Sequence, residues 1–148
     1  MKKLIVLAII IIAFAQNGFC QQNSDKELVK KEIYRTEKAF EKMVQEQGIT
    51  EAFYYYADSL AVIKRDNDSL IYGRNNIKNF YEKKNYSNVT VNWTPDFIDV
   101  SDDGTLGYSY GKYVFRMKLQ DKSVKEFVGV FQTVWKKQSD NSWKYVFD

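Results

Sequence analysis

From Val89 to Asp148, three polar clusters divide the chain into four segments rich in β-branched and aromatic residues: Ser101-Asp102-Asp103-Gly104, Gln120-Asp121-Lys122-Ser123 and Ser139-Asp140-Asn141-Ser142. Such segments suit the half-buried surface of a sheet, and turns this short join neighbours as antiparallel hairpins. Strands as long as Leu106–Lys118 and Glu126–Lys137 twist too strongly to stay flat. A curled sheet must bury one face, so whatever precedes it has to lie across that face and enclose a conical interior, either core or pocket. Pro95, the only proline, cannot donate to a ladder and is expected at an edge or bulge of the first strand.

Before Val89 the period changes. Val29, Ile33, Thr36, Phe40, Met43, Val44 and Gln47 recur at the three-to-four spacing of one buried helical stripe. Ser24-Asp25-Lys26-Glu27 has the form of a capping box and is expected to open this helix, and Gly48 to end it. Thr50 is expected to cap a second, short helix through Ala57, with Asp58-Ser59 breaking the pattern. Ala61–Arg65 and Leu70–Tyr72 flank Asp66-Asn67-Asp68-Ser69 and read as a short hairpin. After Gly73 a third helix runs from Arg74 to about Lys84, with Ile77, Phe80 and Tyr81 as its narrow apolar face. With no internal repeat, linker or low-complexity stretch, the chain reads as a single α+β domain, about three N-terminal helices packed on a strongly curved antiparallel sheet.

The N-terminus stands apart. Lys2 and Lys3 precede the apolar run Leu4 to Ala15, and residues 1–20 read as a cleavable secretory signal, leaving a domain of residues 21–148. The run falls short of the ~20 apolar residues of a bilayer span, so no stable span is expected. Cleavage fits after Ala15 or after Cys20. Cys20, the only cysteine, opens the alternative of a lipid anchor, against which bulky Phe19 occupies the position that should be small. The chain is accordingly expected to be exported, periplasmic or secreted, and its mature part has no disulfide.

Of 22 basic and 19 acidic residues, removal of Lys2 and Lys3 leaves 20 against 19, a net charge of +1. A phosphate-binding face needs clustered basic residues in excess, so nucleic acid is not an expected partner. The chain has no histidine. That removes the usual neutral-pH base, the Ser-His-Asp triad and the commonest metal ligand, and leaves chemistry to Asp, Glu, Lys, Arg and Tyr. Neither a metal nor an organic cofactor is expected.

Several motifs are familiar together: Phe53-Tyr54-Tyr55-Tyr56-Ala57-Asp58-Ser59, Gly73 with Ile77 and Phe80-Tyr81, Trp93-Thr94-Pro95, Asp103-Gly104-Thr105-Leu106-Gly107-Tyr108, and Gly129 to Lys137 before Trp143-Lys144. Through them the chain resembles the NTF2-like superfamily, in particular SnoaL-like and DUF4440 domains, the ketosteroid isomerase homologues. The resemblance implies a cone with a pocket inside the curved sheet and a homodimer through the outer sheet face. Because this architecture hosts isomerases, dehydratases, transport factors and association domains alike, chemistry has to be judged residue by residue. A ketosteroid isomerase uses an Asp base, a Tyr and a protonated Asp. Here those positions fall near Lys64 or Arg65, near Phe40 or Glu41, and near Gln132, so none of the three is kept.

Glu37 and Glu41, four apart on the long helix, either project a carboxylate into the cone, where desolvation would make it a base, or belong to a solvated Glu/Lys face. Glu41 and Asp66 are the candidate catalytic bases. Arg65 either clamps a ligand carboxylate or closes a hairpin-end ion pair. Tyr56, Trp93, Tyr110, Tyr113 and Trp135 offer aromatic walls for a flat apolar ligand or plain core, with Gln132 a candidate polar contact. Three readings follow: an exported module binding a small, largely apolar molecule, an isomerase- or lyase-type enzyme with a buried carboxylate base, and an association domain whose outer sheet face forms a dimer.

Overall fold

A computed structural model describes the backbone from Lys2 and the side chains from Asp25 to Asp148. The expected signal, its cleavage sites and Cys20 lie outside the residues whose side chains are described. In chain order the elements are α1 (Lys2–Gln47), α2 (Ile49–Tyr56), β1 (Ala57–Arg65), β2 (Ser69–Tyr72), α3 (Arg74–Glu82), β3 (Val89–Val100), β4 (Leu106–Lys118), β5 (Val124–Lys137) and β6 (Trp143–Phe147). The strands form one curved, unclosed sheet in the order β2-β1-β6-β5-β4-β3. Every neighbouring pair is antiparallel except β1 with β6.

α1 is already helical at Ser24, so the capping box does not open it. The residues around it, Gln21 to Glu27, are tolerated in a helix and include neither Gly nor Pro to stop one. Gly48 does end α1, and at φ 89° it turns the chain within one residue, so that α2 begins at Ile49 and Gly48, not Thr50, holds the cap position. Asp58-Ser59 is an irregularity inside β1 rather than a break before it. Ala57 pairs with Tyr145, Val62 pairs with Phe147, and the register shifts between them. Asp58 Oδ1 accepts the Leu60 amide at 3.0 Å there. Pro95 lies on the edge strand β3, at the bulge between Pro95 and Phe97, because β3 pairs with β4 alone. Gly111 faces this bulge, where a Cβ would stand 2.4 Å from the Thr94 carbonyl oxygen.

The core lies between the concave sheet face and the helices. Ile33, Phe40 and Val44 of α1, Ala52 of α2, Ile77 and Tyr81 of α3 meet Ile63, Trp93, Trp135 and Tyr145 from the sheet. Phe40 is its centre, with the rings of Tyr56, Phe53 and Trp93 at 4.8, 4.9 and 5.2 Å. Tilted and edge-on aromatic pairs of this kind each add about 0.5–1.5 kcal/mol beyond area burial. Inward and outward positions alternate on β5 as the strand period requires: Thr133 and Trp135 are buried, Val130 and Gln132 exposed.

Candidate functional site

The stripe that buries α1 is not purely apolar. Glu37 and Glu41 lie one and two turns after Ile33, on the side that carries Phe40 and Val44, and both are buried. The reading of these glutamates as a solvated face is therefore corrected. Glu37 Oε1 accepts from Ser109 Oγ and from Trp135 Nε1 at 2.9 Å, and Oε2 accepts from Trp93 Nε1 at 2.8 Å. One carboxyl thus ties α1 to β3, β4 and β5. Burial pushes its pKa up, the three donors pull it down, and burial prevails.

Glu41 serves a different end. Its Oε1 accepts the Trp93 backbone N–H at 3.0 Å, and its Oε2 pairs with Lys38 Nζ, which also donates to the Trp93 carbonyl at 3.0 Å. The two side chains satisfy the outward backbone groups of an edge-strand residue. Glu41 is absent from the cavity lining, so the candidate base Glu41 holds α1 to β3 instead.

The concave face leaves a cavity of about 640 Å³ beside this core. Phe53 of α2, Phe80 of α3, Val91 and Trp93 of β3, Tyr113 of β4 and Phe131 of β5 contribute to its apolar wall. Tyr113 is positioned by a missing side chain: it is paired across the ladder with Gly129, where a Cβ would stand 2.5 Å from its ring. Glu37 and Thr133 border the deep end, and neither exposes more than 1% of its surface to solvent.

Polar groups gather where β1, β5 and β6 meet α3. Arg65 Nε donates to Tyr81 Oη at 2.8 Å, Nη1 donates to the carbonyls of Lys64 at 2.7 Å and Asp148 at 3.1 Å, and Nη2 pairs with Asp148 Oδ1. Thr133 Oγ1 donates to Asp148 Oδ2 at 3.1 Å. Burial works against the Arg65 charge, but Asp148 and Tyr81 more than restore it and its pKa rises. Burial likewise raises the Tyr81 hydroxyl above the usual phenol range, against the pull of Arg65. Asp66, the other candidate base, sits at the cavity mouth paired with Lys84 Nζ at 2.6 Å.

The structure thus brings Arg65, Asp66, Trp93 and Gln132 to the cavity, although the Gln132 side chain belongs to the exposed side of β5. Trp135 and Tyr56 are not in the lining. Trp135 is fully buried against Phe40, and Tyr56 packs on both. Tyr110 is a clear miss: it faces out from β4 and stacks on Phe97 at 5.2 Å. Sequence reasoning passed over Ser109, Thr133, Tyr81 and Asp148. A small polar residue at an inward strand position, as at Ser109 and Thr133, was the available signal. Among the described residues no cluster of His, Cys, Asp or Glu is arranged to hold a metal, and no helix is long and apolar enough to cross a membrane.

Comparison with known proteins places this architecture. The chain superposes on an NTF2-like superfamily protein from Salmonella enterica with a TM-score of 0.66 at 15% identity, over 82% of this chain and 88% of that one. It matches the association domain of C. elegans CaMKII with a TM-score of 0.66 at 11% identity, over 83% and 95% of the two chains. A ketosteroid isomerase-like protein from Erwinia carotovora gives 0.60 at 9% identity, over 77% and 88%. The fold is NTF2-like. No family model matches the chain, so the narrower DUF4440 resemblance gains no support from one, and no curated protein matches it.

Proposed function

We propose that this chain is an exported NTF2-like module that holds a small, largely apolar molecule in its cone. The observation that carries the reading is the aromatic-walled cavity of about 640 Å³, which lies within the range of small-molecule sites and offers a few convergent polar groups. Both side chains first considered as bases are engaged, Glu41 with the β3 edge and Asp66 with Lys84. Native mass spectrometry of the protein purified from its own host, followed by denaturing extraction, tests the reading. A released apolar molecule supports it. An empty protein whose melting temperature is unmoved by a library of apolar acids and sterols overturns it.

A second reading, self-association through the outer sheet face, is favoured by a specific observation. Phe97, Tyr108, Tyr110, Val128 and Val130 are each about 40–70% exposed on β3, β4 and β5. The likeness to association domains of CaMKII runs in the same direction. Sedimentation of the wild type against Val130→Asp distinguishes a homodimer through this face from a monomer.

A further inference from the structure

Arg65 leaves β1 on the inward side and meets the side chain of Asp148, just beyond β6, inside the cavity lining. Together with Thr133 it forms a built seat for a carboxylate. Nη2 of the guanidinium pairs with one carboxylate oxygen and the threonine hydroxyl donates to the other, while the guanidinium is fixed in place by Tyr81 through Nε and by the backbone oxygens of Lys64 and Asp148 through Nη1. The seat is filled by the chain's own anion. The backbone of Asp148 is anchored independently, its N–H donating to the Val62 carbonyl at 3.1 Å and its carbonyl accepting from Lys64 N–H at 2.8 Å. Rotation about the side-chain bonds alone can therefore vacate the seat without unpairing the strand.

Resting on the reading of the cone as a ligand site, we propose that Arg65 and Thr133 form the anion subsite of the cavity and that Asp148 is its exchangeable internal occupant. The ligand class is then an apolar carboxylic acid, its body against Phe53, Trp93, Tyr113 and Phe131 and its carboxylate on Arg65. A carboxylate replaces a carboxylate, so the partly buried guanidinium is never left without a counter-charge, a condition that a neutral ligand cannot meet. Asp148 thereby makes binding selective for acids and also weakens it, since every acid must compete with it.

The test compares naphthalene-2-carboxylate with naphthalene-2-carboxamide by calorimetric titration on the full chain. In the wild type the acid binds and the amide binds more weakly. Asp148→Asn removes the competitor and tightens the acid about tenfold, leaving the amide unchanged, whereas Arg65→Gln abolishes the preference. Thr133→Val, which keeps the shape, weakens the acid alone. Equal binding of acid and amide in the wild type and in Asp148→Asn overturns the subsite while leaving the cavity as a ligand site. Absence of binding by either probe in both proteins, each with an unaltered near-ultraviolet spectrum, overturns the subsite and the ligand-site reading together.

Discussion

Replacing Glu37 by Gln preserves the shape of the side chain and removes its ability to ionise. The amide oxygen can accept from Ser109 Oγ and Trp135 Nε1 as before, but the amide nitrogen then faces Trp93 Nε1, donor against donor. A buried donor left without an acceptor costs about 1–3 kcal/mol. The wild type carries a different cost, which varies with pH. Because the folded pKa of Glu37 is raised above its ordinary 4.5, the native state retains a proton that the unfolded chain releases. The stability this proton confers is complete below the unfolded value and is lost as pH rises through the folded one, at up to about 1.4 kcal/mol per pH unit. The deficit of Glu37→Gln is therefore largest near pH 4 and shrinks as the solution becomes neutral. Urea unfolding at steps of pH, followed by tryptophan fluorescence, measures it. With a slope of about 2 kcal/mol/M, a deficit of about 2 kcal/mol moves the midpoint by about 1 M. A deficit that stays constant from about pH 4 to pH 8 would refute the reasoning, because it would mean that folding leaves the protonation of Glu37 unchanged.

Three further outcomes follow from the packing. Trp135→Ala, at a fully buried site, lowers unfolding free energy by about 3–5 kcal/mol, and Trp135→Phe by less, as chemical denaturation would show. Gly129→Ala drives the Tyr113 ring off its seat and into the cavity, lowering stability by about 1–3 kcal/mol and reducing uptake of an apolar fluorescent probe, whereas Gly104→Ala, away from the cavity, leaves that uptake intact. Glu41→Ala frees the Trp93 backbone N–H, and amide exchange there accelerates relative to Val100 on the same strand while the fold persists.

The succession of helices, hairpin and sheet was legible because each element carries its own period and turn chemistry. Asp66-Asn67-Asp68, all at positive φ, and Gly73 at φ 83° mark real turns with residues that tolerate that conformation. The Pro95 bulge was legible for the same reason, since a missing N–H is a property of one residue. The parallel pairing of β1 with β6 was not, because it joins Ala57 to Tyr145 and Val62 to Phe147, far apart in sequence, and no local pattern records it. The candidate site suffered from the same gap. Arg65 was legible as a ligand clamp or as half of a hairpin-end ion pair, but its partner is Asp148 from across the sheet rather than Asp66 beside it. The lysines that follow Glu37 and Glu41 in sequence are equally the mark of a solvated face. The partners of Glu37, namely Trp93, Ser109 and Trp135, come from three later strands. Tyr110 was misplaced because aromatic content indicates strand but not which face, and the alternation on β4 sends Ser109 inward and Tyr110 outward.

The service that Lys38 and Glu41 give to Trp93 reaches beyond the attachment of one helix. By engaging the N–H and the carbonyl that a neighbouring strand would seek, they make α1 a surrogate strand along part of the exposed β3 border. Pro95 withholds a donor a little further on, and the opposite border, β2, is only the stretch Ser69–Tyr72. A sheet so guarded is a poor template for recruiting further chains edge to edge. The protein can thus keep a broad apolar surface on its convex side with growth into fibres opposed at its margins.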